Sequence, residues 1–135
     1  MWPQYHDNTP KQFQYIDVAY WRFQLIPRDG DRLGNVFAWA RRNLDQDLSL
    51  DRFAQQAHMS RRTLIRRCAE ATGLAPGEWV LQERVAEACR LLETTRMSVE
   101  QIAAAVGLGS ADNLRHQFRT RLHTSPARYR SSFAA

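Results

Sequence analysis

The sequence predicts an all-α fold with seven helices, in which two helix-turn-helix lobes are joined by a long linker helix. Three observations predict this fold. Apolar residues recur at helical spacing from Asp31 onward. Serine, glycine and proline stand where helices would begin and end. Finally, the pattern of apolar, turn and cap residues that starts at Ser49 recurs at Ser98, which indicates an internal duplication.

The duplicated positions keep the same order in both copies. The first copy contains Ser49, Phe53, Ala54, Ser60, Leu64, Gly73 and Pro76, and the second contains Ser98, Ile102, Ala103, Ser110, Leu114, His123 and Pro126. The two helices of a helix-turn-helix cross steeply and touch near the turn, so the small side chains of Ala54 and Ala103 suit that crossing. Any helical hairpin needs small contact residues, but the recurrence of alanine, turn, serine and leucine in order favours two matched motifs.

The first copy is preceded by one helix and followed by a long one. The predicted buried face of the first helix consists of Val36, Trp39, Ala40 and Leu44. Ser49 and Ser60 are predicted N-caps of the second and third helices, because serine hydroxyls accept hydrogen bonds from orphan backbone N–H groups. Gly73 suits the left-handed end of the third helix. The linker helix is predicted from Pro76 to Thr94, and its buried stripe consists of Leu81, Val85, Ala88 and Leu92.

The second copy repeats the same local signals. Ser98 and Gln101 have the spacing of a capping box. Gly107 is expected to make the sharp turn between the two helices of this motif. The inward residues of its second helix are predicted to be Leu114, Phe118 and Leu122. A final short helix should begin at Pro126 and carry Tyr129 inward.

Residues 1–30 differ in composition from the rest of the chain. They are rich in aromatic residues, and we expect them to be an N-terminal arm or the remnant of a preceding domain. Residues 31–132 are predicted to form one helical domain. Its parts are a first helix-turn-helix over 49–72, a linker helix over 76–94 and a second helix-turn-helix over 98–122.

The composition favours an anionic partner. The 135 residues include 19 basic and 14 acidic ones, which gives a net charge of +5, and every basic residue except Lys11 is arginine. Because genome composition also produces arginine-rich chains, only the positions of the arginines decide between these explanations. Cys68 and Cys89 fall at apolar helical positions, which predicts buried free thiols in a reducing cytoplasm. No apolar run reaches the roughly 20 residues of a membrane span, so we expect no membrane partner.

The second helix of each motif is predicted to carry charge on its outward face. With Leu64 and Cys68 buried, a rotation of about 100° per residue places these residues outward in the first motif: Arg61, Arg62, Ile65 and Arg66. The comparable residues of the second motif are Asp112, Asn113, Arg115, His116 and Arg119, with Arg128 and Arg130 further along the chain. A charged helix face is usually only a solvated face. Two such faces at matching positions favour binding in the major groove of DNA, where arginine recognises guanine and phosphate.

Several stretches carry a resemblance to a known family: Met59–Leu64, Thr72–Gly73 with Pro76, Ile102–Leu108, Phe118–Arg119 and Thr124–Arg130. They resemble the DNA-binding domain of the AraC/XylS-type transcriptional regulators, over roughly residues 33–132. The resemblance implies two helix-turn-helix lobes joined by a long helix that bind double-stranded DNA. The base-contacting positions that it implies are Arg62, Ile65, Arg66, Ala111, Asp112 and His116.

Two stretches, Ser60–Leu64 and Leu114–Phe118, look like those of a subgroup whose DNA-binding half follows a sensor domain similar to the DJ-1/glutamine-amidotransferase fold. Residues 1–30 would then be the terminal remnant of such a sensor, or the chain would be a fragment. The chain departs from the family at two positions, where Leu108 replaces phenylalanine and His123 replaces glycine. Since histidine tolerates a positive φ less well than glycine, we expect the end of the second reading helix to differ locally.

The remaining residues predict no catalytic, cofactor-binding or metal site. The four histidines, His6, His58, His116 and His123, lack metal-ligand spacing with each other and with the cysteines. Serine, histidine and aspartate are plentiful, but no pattern marks a nucleophile and its base. We therefore expect a binding protein and not an enzyme.

The leading interpretation is a cytoplasmic, sequence-specific DNA-binding transcriptional regulator. Its two recognition helices would read adjacent major-groove segments about one helical turn apart. Its predicted partners are promoter or operator DNA, RNA polymerase, and a second copy that dimerises through a sensor domain outside this sequence. The alternative is a basic helical module that binds another protein. A third interpretation makes residues 1–30 part of an enzyme-like sensor, but that segment is too short to hold an active site.

Overall fold

Seven α-helices make up the part of the chain that the computed structural model describes, residues 32–133, and no strand occurs there. In chain order they are α1 (Arg32–Arg42), α2 (Leu50–Ala57), α3 (Arg61–Thr72), α4 (Pro76–Thr94), α5 (Val99–Ala105), α6 (Ala111–Leu122) and α7 (Pro126–Ser131). The all-α class and the seven helices are confirmed. The predictions made for residues 1–30 lie outside the described residues.

Serine side chains begin five of these helices, as the sequence predicts. In each case the hydroxyl accepts a hydrogen bond from the backbone N–H three residues further along; the five serines are Ser49, Ser60, Ser98, Ser110 and Ser125. The capping box is also present, since the backbone N–H of Ser98 donates to Gln101 Oε1 at 2.9 Å. A serine cap is worth about 1 kcal/mol, so these short-range signals favour helix starts at the observed positions.

The first lobe packs α1, α2 and α3 against the N-terminal half of α4. Its centre is aromatic: Phe37 stacks on Trp79 with ring centroids 4.0 Å apart, and Phe53 meets both rings edge-on. The predicted buried face of α1 was therefore partly wrong. Phe37 is fully buried, whereas Trp39 is only half-buried, because Trp79 on α4 selects the stripe on which Phe37 lies.

The second lobe packs α5, α6 and α7 against the C-terminal half of α4. Phe118 and Tyr129 meet edge-on at 5.8 Å in its core, and the Tyr129 hydroxyl donates to Glu93. Burial raises the pKa of Tyr129 far above its usual range, so the phenol stays a neutral donor. The predicted free thiols are confirmed, with Cys68 buried in the first lobe and Cys89 in the second.

The linker helix α4 is buried on several sides, since it is sandwiched between the lobes. The predicted stripe captured only part of this contact surface: Leu81 is half-buried, and Trp79, Val80, Gln82, Glu83, Ala86 and Cys89 are buried in addition. A single amphipathic stripe describes a helix that lies on one core, and α4 serves two. The lobes therefore share one rigid element.

Two histidines adopt the left-handed conformation at helix ends. His123 ends α6 with φ 57°, and its backbone N–H donates to Arg119 O at 3.2 Å. Gly73 ends α3 in the same way, with φ 78° and a bond to Ala69 O at 2.8 Å. The expectation that histidine changes the end of α6 is wrong, because histidine is among the few residues besides glycine enriched in this conformation. His58, after α2, has φ 55°.

Candidate nucleic-acid interface

The outward face of α3 is basic with one apolar residue in it. Leu64 and Cys68 turn into the core, and this fixes the orientation of the helix. The predicted residues Arg61, Arg62, Ile65 and Arg66 are all exposed. Ile65 is 43% exposed, and only Phe133 joins it as a large exposed hydrophobic residue within 32–133. An apolar side chain among arginines suits a thymine methyl group, and arginine suits the acceptor pair of guanine.

Two of the α3 arginines form loose ion pairs at the surface. Arg61 lies 3.3 Å from Asp51, and Arg66 lies 3.6 Å from Glu70, with all four side chains more than half exposed. Arg62 pairs with no carboxylate within the described residues. Exposed pairs of this kind stabilise by about 0–1 kcal/mol, so a phosphate or a guanine can displace the carboxylates at small cost.

The outward face of α6 carries both signs of charge. Asp112, Arg115, His116 and Arg119 are exposed, as predicted, and Arg115 donates to Asp112 at 3.1 Å. Asn113 is different, because its side chain is half-buried and donates to Leu108 O at 2.9 Å. Asn113 therefore holds the turn before α6, and this use of its amide could not be seen from the sequence.

Two C-terminal arginines, one of which (Arg130) the sequence predicted to face DNA, hold the fold together instead. Arg121 makes an ion pair with Glu78 at 2.5 Å, and this hydrogen bond lowers the pKa of that carboxyl. Arg130 donates to Leu92 O at 3.3 Å and Thr95 O at 3.1 Å, so its guanidinium caps the C-terminal end of α4. Both side chains turn inward because long-range partners attract them.

A cleft lies where α6 ends and α7 begins. It has a volume of about 250 Å³ and is lined by Arg115, Arg119, His123, Thr124, Ser125 and Arg128. Thr124 is buried, and its hydroxyl has no hydrogen-bond partner among residues 32–133. Three arginines around an unsatisfied donor form a site suited to an anion such as phosphate. Arg128 is exposed here as predicted, whereas no sequence pattern assigned a binding role to the hydroxyl of Thr124.

Two other kinds of site are absent from the described part of the chain. Residues 32–133 hold no cluster of three or more histidine, cysteine, aspartate or glutamate side chains that could bind a metal ion. None of the helices α1 to α7 is long and apolar enough to cross a membrane.

Comparison with known proteins gives consistent matches. A family model described as a helix-turn-helix domain matches residues 53–132. The HTH-type transcriptional regulator Rv1931c of Mycobacterium tuberculosis is 42% identical over 81 residues, which are 60% of this chain and 31% of that protein. The HTH-type transcriptional activator AarP of Providencia stuartii is 31% identical over 100 residues, which are 74% of each protein.

A solved structure is similar in both fold and sequence. The DNA-binding domain of AdpA, a global transcriptional factor crystallised in complex with a target DNA, superposes with a TM-score of 0.73 at 42% identity. The match covers 77% of this chain and 94% of that domain. The chain thus spans nearly all of a solved domain, but less than a third of the length of the Mycobacterium tuberculosis relative.

Proposed function

Because the chain belongs to the AraC-type helix-turn-helix DNA-binding family, we propose that it is a sequence-specific DNA-binding transcriptional regulator and not an enzyme. We further propose that α3 and α6 enter adjacent major-groove segments on one face of the duplex, about one helical turn apart. The observation that carries the proposal is that α3 and α6 are both exposed on their outward faces. Each is the second helix of a packed helix-turn-helix motif, and both motifs pack on the linker helix α4. The AdpA domain, at 42% identity, was solved on a target DNA, which supports it.

In this proposal the first lobe supplies the stronger base reading. Arg62 and Arg66 contact guanine edges, and Ile65 contacts a thymine methyl group between them. The second lobe contacts bases through Asp112 and His116. The carboxylate of Asp112 accepts a hydrogen bond from the amino group of cytosine, or it repels a misplaced phosphate. The two faces differ in charge, so each lobe prefers a different sequence.

The remaining outward arginines fix the position of the chain on the DNA backbone. We place a backbone phosphate in the cleft between α6 and α7, where Arg119 and Arg128 supply charge and Thr124, whose hydroxyl has no partner among the described residues, forms part of the wall. Arg61 and Arg115 would exchange their exposed carboxylate partners for phosphates. Asn113 and Arg130 act indirectly, by holding the turn before α6 and the end of α4.

The wider setting of this domain is also a proposal. We infer that residues 31–132 form the DNA-binding unit. Residues 1–30 are an N-terminal arm or the remnant of a preceding sensor domain of the DJ-1/glutamine-amidotransferase type, through which the regulator dimerises. The regulator works in the cytoplasm and contacts RNA polymerase at its promoter. These statements rest on the sequence motifs and on the length of the Mycobacterium tuberculosis relative, of which the matched region makes up 31%.

Selection of bound sequences from a random pool of duplexes tests the proposal. We expect a recovered consensus with two short conserved blocks whose centres lie about 10 base pairs apart. A gel shift at two salt concentrations then compares the consensus with a scrambled duplex. A binding constant that is equal for both sequences would contradict sequence-specific reading. The absence of any binding at low salt would favour the alternative, a basic helical module that binds protein.

A further inference from the structure

The two lobes touch directly at Gly107, the turn residue of the second motif. A Cβ atom placed on Gly107 would lie 1.9 Å from the carbonyl oxygen of Leu44, which belongs to the loop after α1 in the first lobe. Real Cβ atoms do not approach a backbone oxygen this closely. The main chains of the two lobes are therefore packed against each other with no room for a side chain.

Arg84 of the linker helix fastens the same contact. Its Nε donates to Leu44 O at 3.1 Å and its Nη2 donates to Gln46 O at 2.8 Å. The Cβ placed on Gly107 would also lie 2.9 Å from Arg84 Nε, so the guanidinium is wedged between the loop and the turn. Burial lowers the pKa of Arg84, but a guanidinium stays charged in proteins, so both hydrogen bonds are charge-assisted.

The neighbouring Gly109 separates two reasons for glycine at this turn. Both glycines have a left-handed backbone, with φ 82° at Gly107 and φ 83° at Gly109. A Cβ on Gly109 would meet nothing within 4 Å, whereas one on Gly107 would strike the first lobe. Backbone conformation alone explains glycine at both positions, so the contact with Leu44 is an additional requirement at Gly107.

We propose that Arg84 and Gly107 fix the distance and angle between α3 and α6, and thereby determine which spacing between its two DNA segments the chain accepts. Neither residue lies on the outward faces of α3 and α6, so both are positioning residues and not DNA contacts. The ion pair between Arg121 of α6 and Glu78 of α4 braces the second lobe on the same linker helix. The effect on DNA spacing rests on the proposed function. The contact that Arg84 and Gly107 make between the lobes, here called the interlobe lock, is a property of the free protein.

The interlobe lock matters because the distance between two DNA segments changes in steps of one base pair. Each added base pair moves the second segment by about 3.4 Å and turns it by roughly a tenth of a helical turn. A rigid pair of lobes tolerates one spacing, whereas a loosened pair follows the inserted base pair by rotating about α4. Loosening should therefore broaden the spacing preference, while simple destabilisation of the fold should lower affinity equally at every spacing.

The first experiment measures the lobe arrangement without DNA. Spin labels on Gln56→Cys of α2 and Thr120→Cys of α6, both exposed positions, report the distance between the lobes of the full chain. The native cysteines are buried and should not be labelled. We expect a narrow distance distribution that broadens or shifts in Arg84→Gln and in Gly107→Ala. Gly109→Ala is the matched control and should leave the distribution unchanged. Identical distributions in all variants would overturn the interlobe lock.

The second experiment measures how DNA affinity depends on spacing. It uses the selected consensus duplex and duplexes that are one base pair longer or shorter between the two conserved blocks. We expect the unaltered chain to lose about tenfold or more of its affinity on either change. Arg84→Gln, which avoids the steric clash that alanine introduces at Gly107, should lose less than about threefold. An unchanged spacing penalty in Arg84→Gln would refute the assignment, even if the protein binds DNA. Failure to select any consensus would instead refute the proposed function and leave the spin-label result to decide the interlobe lock.

Discussion

Arg66→Ala should weaken sequence-specific DNA binding without unfolding the first lobe. The Arg66 side chain is 61% exposed on α3, and its ion pair with Glu70 spans 3.6 Å. Such an exposed pair one helical turn apart contributes about 0.3–0.5 kcal/mol. Alanine is the better helix former by a few tenths of a kcal/mol, which offsets part of this loss. The free energy of unfolding should therefore change by less than about 0.5 kcal/mol.

The loss on DNA should be several times larger. A bidentate contact from arginine to guanine discriminates by about 1–3 kcal/mol, which corresponds to roughly 5- to 150-fold in affinity. Arg66 gives up its contact with Glu70 when it binds, but that contact is too weak to reduce the effect much. Glu70→Gln should act in the opposite direction and tighten binding severalfold, because it frees Arg66 and removes a negative charge near the phosphates.

Fluorescence anisotropy measures the affinity for the selected consensus and for a scrambled duplex. A thermal melt measures the change in the stability of the fold. Arg67→Ala is the matched control, because Arg67 is an exposed arginine of the same helix about 100° around from Arg66. We expect Arg66→Ala to lose affinity mainly on the consensus and Arg67→Ala to lose a little on both duplexes. An equal loss on both duplexes in Arg66→Ala would refute the base-reading role.

Three further predictions concern phosphate binding, the buried ion pair and pH. Arg128→Ala should weaken binding to consensus and scrambled DNA about equally, and the slope of log affinity against log salt should fall by about 1. Glu83→Ala should cost about 3 kcal/mol in denaturant unfolding, because Glu83 is 1% exposed and accepts from Arg41 at 2.8 Å. Glu78→Gln should flatten the loss of stability in acid, because Arg121 lowers the pKa of Glu78 below 4.5, so its contribution is present above that pH and disappears as the pH falls through the lowered value.

Each of these has an outcome that contradicts it. A selective loss on the consensus would make Arg128 a base-reading residue and not a phosphate anchor. A loss below about 1 kcal/mol in Glu83→Ala would mean that Arg41 finds water or another partner when its carboxylate is removed. An acid limb of the stability curve that is the same with and without Glu78 would show that its contact with Arg121 is too exposed to matter.

The parts of the fold that depend on short-range chemistry were predictable from the sequence. Ser49, Ser60 and Ser98 cap the helices that they were expected to cap, and Gly73 ends α3 in the left-handed conformation. Such signals act within about four residues, so the order of residue types is sufficient to find them. The arrangement of two lobes joined by a linker helix was predictable from the duplication, because two matched motifs need a common element between them.

The parts that depend on distant partners were not predictable. Phe37 and not Trp39 fills the first core, because Trp79 of the distant linker helix stacks on it. Arg130 was predicted from the sequence to face DNA, yet its guanidinium is held at the end of α4, and Arg121 is held by Glu78. Positive charge in a sequence shows the number of cations, but only the packed structure shows which of them remain free.

The central claim is that both lobes read DNA at the same time, through α3 and α6. Hydroxyl-radical footprinting on the selected consensus tests it most directly, with the unaltered chain and with Arg62→Ala, Arg66→Ala and His116→Ala as comparisons. We predict two protected patches on one face of the duplex, about one helical turn apart. Changes on α3 should weaken one patch and His116→Ala the other. A single protected patch that responds only to the α3 substitutions would contradict two-lobe reading.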